Sequence, residues 1–416
     1  MVDARGRLSV GGCDLVALAE EHGTPLFVYD EEHLRSRCRE AVGAWGEGVA
    51  YGSKAFLCRA MARLANEEGM WVDVATGGEL HVALAAGVPA GRIVLHGNNK
   101  SDAELRRAVA EGVGRIVVDS GDEIDRLELI AASRDGGSPP RVLLRVTPGI
   151  EAHTHEYVMT GQVDSKFGFG LASGQAQAAV ERLRALSALG AVDLVGIHAH
   201  IGSQIFVTDS FEREVEVLAG FFNPLGLGEL CVGGGLGVAY VEGESAPTIT
   251  EWAAAVRRAC AAFGVAPATR VTAEPGRSIV AGAAVTLYTV GTLKDLPGVR
   301  TYVAVDGGMS DNPRPVLYGS GYEVFLPRAA DAERPRRVTV VGKHCESGDF
   351  IVRDARVPAD IRVGDVLATP VTGAYGHSMA SNYNKVLRPA VLFVAQGCAR
   401  TVVRRETEED LLRLDA

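Results

Sequence analysis

The sequence has no C-x-x-C pair and no closely spaced cysteine set. Its seven cysteines, Cys13, Cys38, Cys58, Cys231, Cys260, Cys345 and Cys398, are odd in number and far apart. That argues against a disulfide framework and against a zinc site, and it fits a reducing compartment. Long apolar runs are missing too. The longest stretch free of Asp, Glu, Lys, Arg and His is Ser278–Leu293, 16 residues broken by Gly282, Gly291 and several threonines; it is too short and too polar to span a bilayer and reads as strand. Asp3, Arg5 and Arg7 near the start leave no apolar segment for a secretory leader. Positive charge is in short supply: 42 Lys and Arg against 52 Asp and Glu give a net charge of −10. Neither nucleic acid nor an anionic membrane is therefore an expected partner, whereas a small anionic substrate can still be held by a local arginine cluster. The expectation is a soluble, cytoplasmic protein.

What the sequence does have is alternation. From about residue 49, β-branched runs at Val49–Gly52, Trp71–Val74, Ile93–Leu95, Ile116–Val118, Val142–Val146, Leu194–Ala199, Leu230–Val232 and Arg270–Ala273 alternate with helical patterns such as Leu57–Glu68, Gly78–Ala86, Ser101–Glu111 and Glu251–Phe263. Eight strands alternating with helices predict parallel pairing, and eight is the number that closes a barrel. An open doubly wound sheet explains the alternation almost as well, but it would not bring eight strand ends around one point. Those ends carry Lys54, Asp73, His96, Asp119, Arg145, His200, Gly233–Gly235 and Glu274. After about residue 280 the pattern becomes short strands and Gly/Asp turns without long helices, which predicts an all-β domain. The predicted fold is an α/β chain: a (β/α)8 TIM-type barrel over residues 30–277, then a C-terminal β domain over 278–416, joined by the N-terminal segment 1–29.

Several residues suit chemistry. Lys54, in Tyr51-Gly52-Ser53-Lys54-Ala55, lies between apolar segments, a setting that favours a nucleophilic amine. His198 and His200 fall on one side of their strand, but no third ligand stands at metal-site spacing, and His198 also reads as a structural histidine. Gly233-Gly234-Gly235 follows the seventh strand and Glu274-Pro275-Gly276-Arg277 the eighth, where barrels often cradle a phosphate on backbone N–H groups. A carboxylate there repels phosphate, so Glu274 should face another part of the ligand, such as a protonated ring nitrogen. An imine-forming lysine, a glycine cup, a carboxylate and a stacking histidine together suggest pyridoxal phosphate.

Ten ordered blocks, YGSKA, DVATGGEL, HGNNK, SKFGFG, HAHIGSQ, GGGLG, EPGRSIVAG, DGGMSDNPRPVLY, CESGD and GAYGHSMASNYN, resemble the motifs of the diaminopimelate decarboxylases, members of the fold type III pyridoxal-phosphate group, from about residue 20 to 395. The resemblance implies decarboxylation of meso-2,6-diaminopimelate to L-lysine, the last step of lysine biosynthesis. It implies Lys54 as the Schiff-base lysine, His200 stacked on the cofactor ring, Ser203, Gly235 and the Glu274, Pro275, Gly276 and Arg277 segment around the phosphate, and Glu274 at the pyridinium nitrogen. Asp73 and Glu79 match positions near the lysine and phosphate. Arg277, Arg314 and Tyr318 resemble the clamp for the distal carboxylate, Cys345 the acid that protonates the carbanion, Glu346 a partner for the distal ammonium, and Tyr375 a contact to cofactor and substrate. A homodimer with shared active sites is implied, because Cys345 and Glu346 serve the neighbouring subunit in that family. Three positions depart from the common pattern: Phe56 where Asn is frequent, Ala199 where Cys is, and His377 where Tyr is. The competing readings are a related decarboxylase acting on another amino acid in secondary metabolism, a racemase, and a non-catalytic carrier. CESGD fits a racemase's second base poorly, and a carrier resembles a lone barrel.

Overall fold

The structure, a computed structural model, describes residues 1–4, 6–133, 136–150 and 164–416. Eight strands form one parallel sheet: β1 (Ala50–Gly52), β2 (Trp71–Val74), β3 (Ile93–Leu95), β4 (Arg115–Val118), β5 (Arg141–Thr147), β6 (Asp193–His198), β7 (Glu229–Cys231) and β8 (Arg270–Thr272). They pair in sequence order, and β8 returns to β1 through Ala50 N–H to Ala273 O at 3.0 Å and Gly52 N–H to Pro275 O at 3.1 Å. The expected barrel is therefore present. A two-residue strand, Phe169–Gly170, adds to the side of β5.

Inside the barrel, Ala50, Trp71, Val94, Val117, Leu143 and Cys231 form an apolar layer. Below it lies a charged plug. Glu229 accepts two hydrogen bonds from Arg115, one of them Nε to Oε2 at 2.7 Å, and pairs with Arg141 at 3.2 Å and Arg270 at 2.5 Å. The Arg115 and Arg270 guanidiniums each lie 5.5 Å from the Trp71 ring centre. Four strands begin one residue earlier than apolar patterning suggests, at Arg115, Arg141, Asp193 and Glu229, and the plug accounts for three of them. Arg115, Arg141 and Glu229 look like loop residues in the sequence, but they pair with one another across the strand starts.

The connecting helices are capped at the opposite end, beside the candidate site. Ser101 with Glu104 and Thr248 with Glu251 make complete capping boxes. Thr76 and Ser120 cap the helices Gly77–Ala85 and Gly121–Ala132. There the third-residue carboxylates reach one residue further back, Glu79 to Ala75 N–H at 2.6 Å and Glu123 to Asp119 N–H at 3.2 Å.

The chain divides into two units: Arg37–Val238 with Ser245–Ser278, which holds the barrel, and Met1–Ser36 with Ala239–Glu244 and Ile279–Ala416. In the second unit a sheet runs in the order Phe350–Val357, Arg336–Val341, Arg300–Val305, Ala284–Leu296, Leu26–Asp30, Ala390–Ala395, Cys398–Val403, with Val366–Pro370 also paired to Ala284–Leu296. The N-terminal strand Leu26–Asp30 is thus a central member of this β sheet. Leu26, Val28, Leu287, Ala368, Leu392 and Val394 pack in its core with Leu15 and Leu18. Among the described residues no helix is long and apolar enough to cross a membrane.

Candidate active site

Parallel strands point their C-terminal ends the same way, so residues far apart in sequence meet at one mouth. Lys54 leaves β1 on a short 3-10 turn, Ser53–Ala55, with its side chain exposed while Ser53, Ala55 and Phe56 are buried. The apolar flanks anchor the turn and leave the amine open to the mouth, rather than burying the lysine as its neighbours in sequence suggest.

Glu274, just beyond β8, has both carboxylate oxygens engaged. Oε1 lies 2.8 Å from His96 Nε2 and Oε2 lies 2.9 Å from His198 Nε2. His96 Nε2 is also 3.4 Å from Asp73 Oδ1, and the two imidazole rings stand edge to face at 4.7 Å. The ligand-type atoms of His96, His198 and Glu274 lie within 4.8 Å of one another, a closeness that the two hydrogen bonds account for. Burial lifts the Asp73 carboxyl to about 7, with Glu274 and Glu79 adding to the rise and His96 and Lys54 opposing it. Burial also opposes a charged Glu274, but His96 and His198 pull it well below the usual range. Burial holds His198 down to about 4. His96 goes the other way: burial disfavours its charge, and Asp73 and Glu274 outweigh that. A second buried network stands beside this one. Arg145 pairs with Asp119 at 3.3 Å and lies 4.4 Å from the Phe167 ring, and Lys100 pairs with Glu123 at 2.9 Å.

The loops after β7 and β8 are stitched together by Glu274 N–H to Gly233 O at 2.7 Å. His200 Nδ1 accepts Gly234 N–H at 3.1 Å, and Arg277 donates to Ser203 Oγ at 2.9 Å. Gly235 has φ +112°, and a Cβ there would collide with the Gly202 carbonyl; a Cβ at Gly276 would lie 2.6 Å from the Gly52 carbonyl. Only glycine permits these close approaches. Buried around the same loops are the hydroxyls of Ser53 and Ser278, neither with a hydrogen-bond partner. Glycine-lined backbone, two unpartnered hydroxyls, an exposed lysine and a buried carboxylate fit a phosphate-bearing cofactor with a basic ring. The donor set thus matches pyridoxal phosphate.

The remaining sequence candidates lie in the β unit. Arg314 opens the short helix Arg314–Tyr318 and is 4% exposed. It stacks 4.3 Å from the Tyr240 ring centre and donates to Tyr322 Oη at 2.7 Å, and it forms no ion pair with any described carboxylate. Tyr318 is half-buried. Cys345 and Glu346 are exposed between two buried neighbours, His344 and Asp349. Asp349 accepts Met309 N–H at 2.7 Å and His344 N–H at 2.9 Å, while His344 Nε2 lies 2.9 Å from Ser310 Oγ. The Cys345 loop is thereby fastened to the segment that leads to Arg314. Tyr375 is half-buried with φ +61°, a conformation unusual for a residue with a side chain. His377 packs edge-on against Phe27 at 5.7 Å, and burial lowers its imidazole to about 4.

The sequence reading singled out Glu274 but not its two histidine partners as a set, although His96 was visible as a strand-end residue. Tyr240 and Tyr322 gave no signal, since single tyrosines in Gly-rich loops look like turn residues.

Comparison with known proteins agrees with this geometry. Residues 31–281 match the family described as pyridoxal-dependent decarboxylase, pyridoxal binding domain. The diaminopimelate decarboxylase of Mycobacterium tuberculosis is 50% identical over 433 residues, covering 99% of this chain and 96% of that one; that of Bacillus subtilis is 46% identical, covering 99% and 95%. Among solved structures, the M. jannaschii diaminopimelate decarboxylase in complex with L-lysine aligns with a TM-score of 0.91 at 32% identity, covering 100% of this chain and 97% of that one. Carrying the lysine, glycine cup and buried carboxylate in the mouth of its barrel, the chain belongs to the diaminopimelate decarboxylases of the pyridoxal-dependent decarboxylase family.

Proposed function

We propose that the chain removes one carboxylate from meso-2,6-diaminopimelate, giving L-lysine and carbon dioxide, with pyridoxal phosphate held in the barrel mouth. The observation that carries the substrate reading is Arg314: a guanidinium buried against Tyr240 and oriented by Tyr322, with no carboxylate of its own unit paired to it. A buried unpaired cation is costly, and a ligand carboxylate removes that cost.

Bound pyridoxal phosphate supplies an electron-poor ring that takes up the charge left by the departing carboxylate. The chain does the rest. Lys54 Nζ anchors the cofactor. Backbone N–H groups of Gly233–Gly235 and Glu274–Arg277, with Ser203, hold its phosphate, and Asp73 lies close by. His200 would lie against the ring face, Glu274 would keep a proton at the ring nitrogen, and Tyr375 would contact cofactor and substrate. Arg277, Arg314 and Tyr318 bind the distal carboxylate, and Glu346 binds the distal ammonium. Cys345 Sγ delivers the proton that completes lysine. Residues 30–277 form the cofactor domain, and 278–416 with 1–29 form the β domain. Cys345 and Glu346 stand exposed on a rigidly fastened loop, which suits donation to a neighbouring site. We therefore assign a homodimer with shared active sites, working in a reducing compartment, the cytoplasm, where that thiol stays free.

The test is carbon dioxide release from meso-diaminopimelate beside lysine, ornithine and arginine. Preference for diaminopimelate is expected, and Arg314→Ala should lose about 30- to 4,000-fold in kcat/KM, the equivalent of roughly 2–5 kcal/mol for one partner of a buried charge pair. Preference for lysine or ornithine would overturn the substrate assignment.

A further inference from the structure

We propose that His96 and His198 are positioning residues that act through Glu274: His198 fixes the orientation of the carboxylate as a neutral donor, and His96, shared with Asp73, sets the charge around it. This deepens, and rests on, the reading of the mouth as a pyridoxal-phosphate site.

The geometry assigns the protons. His198 Nε2 lies 2.9 Å from Glu274 Oε2, while its Nδ1 is buried without a hydrogen-bond partner. A second N–H there would have no acceptor, so His198 carries one proton, on Nε2. His96 Nε2 faces two carboxylates at once, Glu274 at 2.8 Å and Asp73 at 3.4 Å. Two like charges this close need a positive neighbour, and His96 is the group between them. With His96 charged and Asp73 ionised, its state above about pH 7, Asp73, Glu274, His96 and His198 sum to one negative charge, the complement of one protonated ring nitrogen. The other groups that act on this quartet are Lys54, Glu79, Arg145, His200 and Cys231. Lys54 and Arg145 are positive, Glu79 is negative, and burial pushes the Cys231 thiol well up and His200 well down. Neither His200 nor Cys231 supplies the charge that His96 does.

Orientation follows from the same contacts. A carboxylate with each oxygen held by a different ring cannot rotate, and each oxygen keeps a free lone pair for the ligand. If His96 is lost, Asp73 and Glu274 face each other across a buried gap. One of them must then take a proton, and Glu274 no longer holds its charge reliably against the ligand.

The experiment uses the holoenzyme and three variants, His96→Leu, His96→Gln and His198→Gln. Histidine-selective nitrogen NMR of the wild type near neutral pH should find His198 singly protonated on Nε2 and His96 doubly protonated. Turnover should fall about 100-fold in His96→Leu, the scale of losing one preorganised donor. KM should change less than about threefold, since the substrate's own contacts are intact. His96→Gln, which restores an N–H without the charge, should recover only part of the turnover. His198→Gln, which restores the neutral donor, should recover most of it. The absorption band of the bound cofactor should shift its pH response in His96→Leu and stay near wild type in His198→Gln. A singly protonated His96 in the wild type, or wild-type turnover in cofactor-loaded His96→Leu, overturns the proposal. Should the wild type fail to decarboxylate diaminopimelate, the substrate reading falls, while the protonation states and the cofactor band still decide this one.

Discussion

The two ends of the barrel both bury carboxylates, and they treat them in opposite ways. At the strand starts Glu229 meets three arginines, and although burial opposes its charge, Arg115 and Arg270 hold it below its ordinary range. At the strand ends Asp73 and Glu274 compete for His96, and Asp73 is lifted to about 7. Each Glu229 oxygen has a permanent cation, so that end is settled in the folded chain alone. At the mouth two carboxylates, Asp73 and Glu274, share the one imidazole of His96, and two unpartnered hydroxyls lie nearby, an arrangement that a ligand completes. Within one sheet, a carboxylate with several arginines closes the floor, and two carboxylates sharing one histidine prepare the site.

Substitutions at the two ends should therefore separate catalysis from stability. The largest effect is expected for Glu274→Gln, a fall in kcat of about 100- to 1,000-fold with little change in melting temperature, because an amide cannot hold a positive charge at the ring nitrogen. Steady-state kinetics beside a thermal melt would check both halves. Glu229→Gln should do the reverse, losing roughly 3 kcal/mol in urea unfolding by leaving arginines unpaired, while the folded enzyme turns over normally. If Glu229→Gln slowed turnover as much as Glu274→Gln, the contrast between floor and mouth would be lost.

The pH dependence sharpens the contrast, because the signs are opposite. A depressed carboxylate such as Glu229 contributes stability that is present above its unfolded pKa, near 4.3, and lost as pH falls through the lower folded value. A raised carboxylate such as Asp73 contributes stability that is present below its unfolded pKa, near 3.9, and lost as pH rises towards about 7. Melting temperatures should show Asp73→Asn gaining on the wild type as pH rises from about 4 to about 7, and Glu229→Gln falling further behind it as pH rises through the acid range up to about 4.3 and holding a constant gap above that. Parallel curves for the two variants would count against the assignment. The smallest expected effect is Ser101→Ala, which removes a capping box beside the mouth and should cost about 1 kcal/mol without altering kcat.

The barrel was legible because its strands are short apolar runs and their polar residues cluster at one end. Its floor was not: Arg115, Arg141 and Glu229 look like loop residues until their partners, up to 114 residues away, are known. Lys54, His200 and Glu274 stand out in the sequence by motif and position. The contacts of His96 and His198 to Glu274 are side-chain hydrogen bonds spanning 178 residues in one case and 76 in the other, which no local pattern encodes. The strand Cys398–Val403 was also missed, because it is largely exposed and its polar residues hide the alternation. In the β unit, Arg314 was visible through its motif, but the aromatic frame of Tyr240 and Tyr322 was not, since one of these comes from a segment inserted between barrel elements.

The Asp349 carboxylate, bonded both to Met309 N–H and to His344 N–H, bears on how this enzyme can change. The segment leading to Arg314 and the loop bearing Cys345 share one fastening, so a substitution in either is felt by the other. With the role proposed for Arg314, a lineage shifting to a substrate without a second carboxylate could not simply exchange that residue. Its neighbours around Gly308 and Gly342, where a Cβ would run into Asp349, would constrain each step, and the two loops would have to be rewritten together. Combined libraries spanning both loops should therefore yield altered specificities that successive single substitutions do not reach.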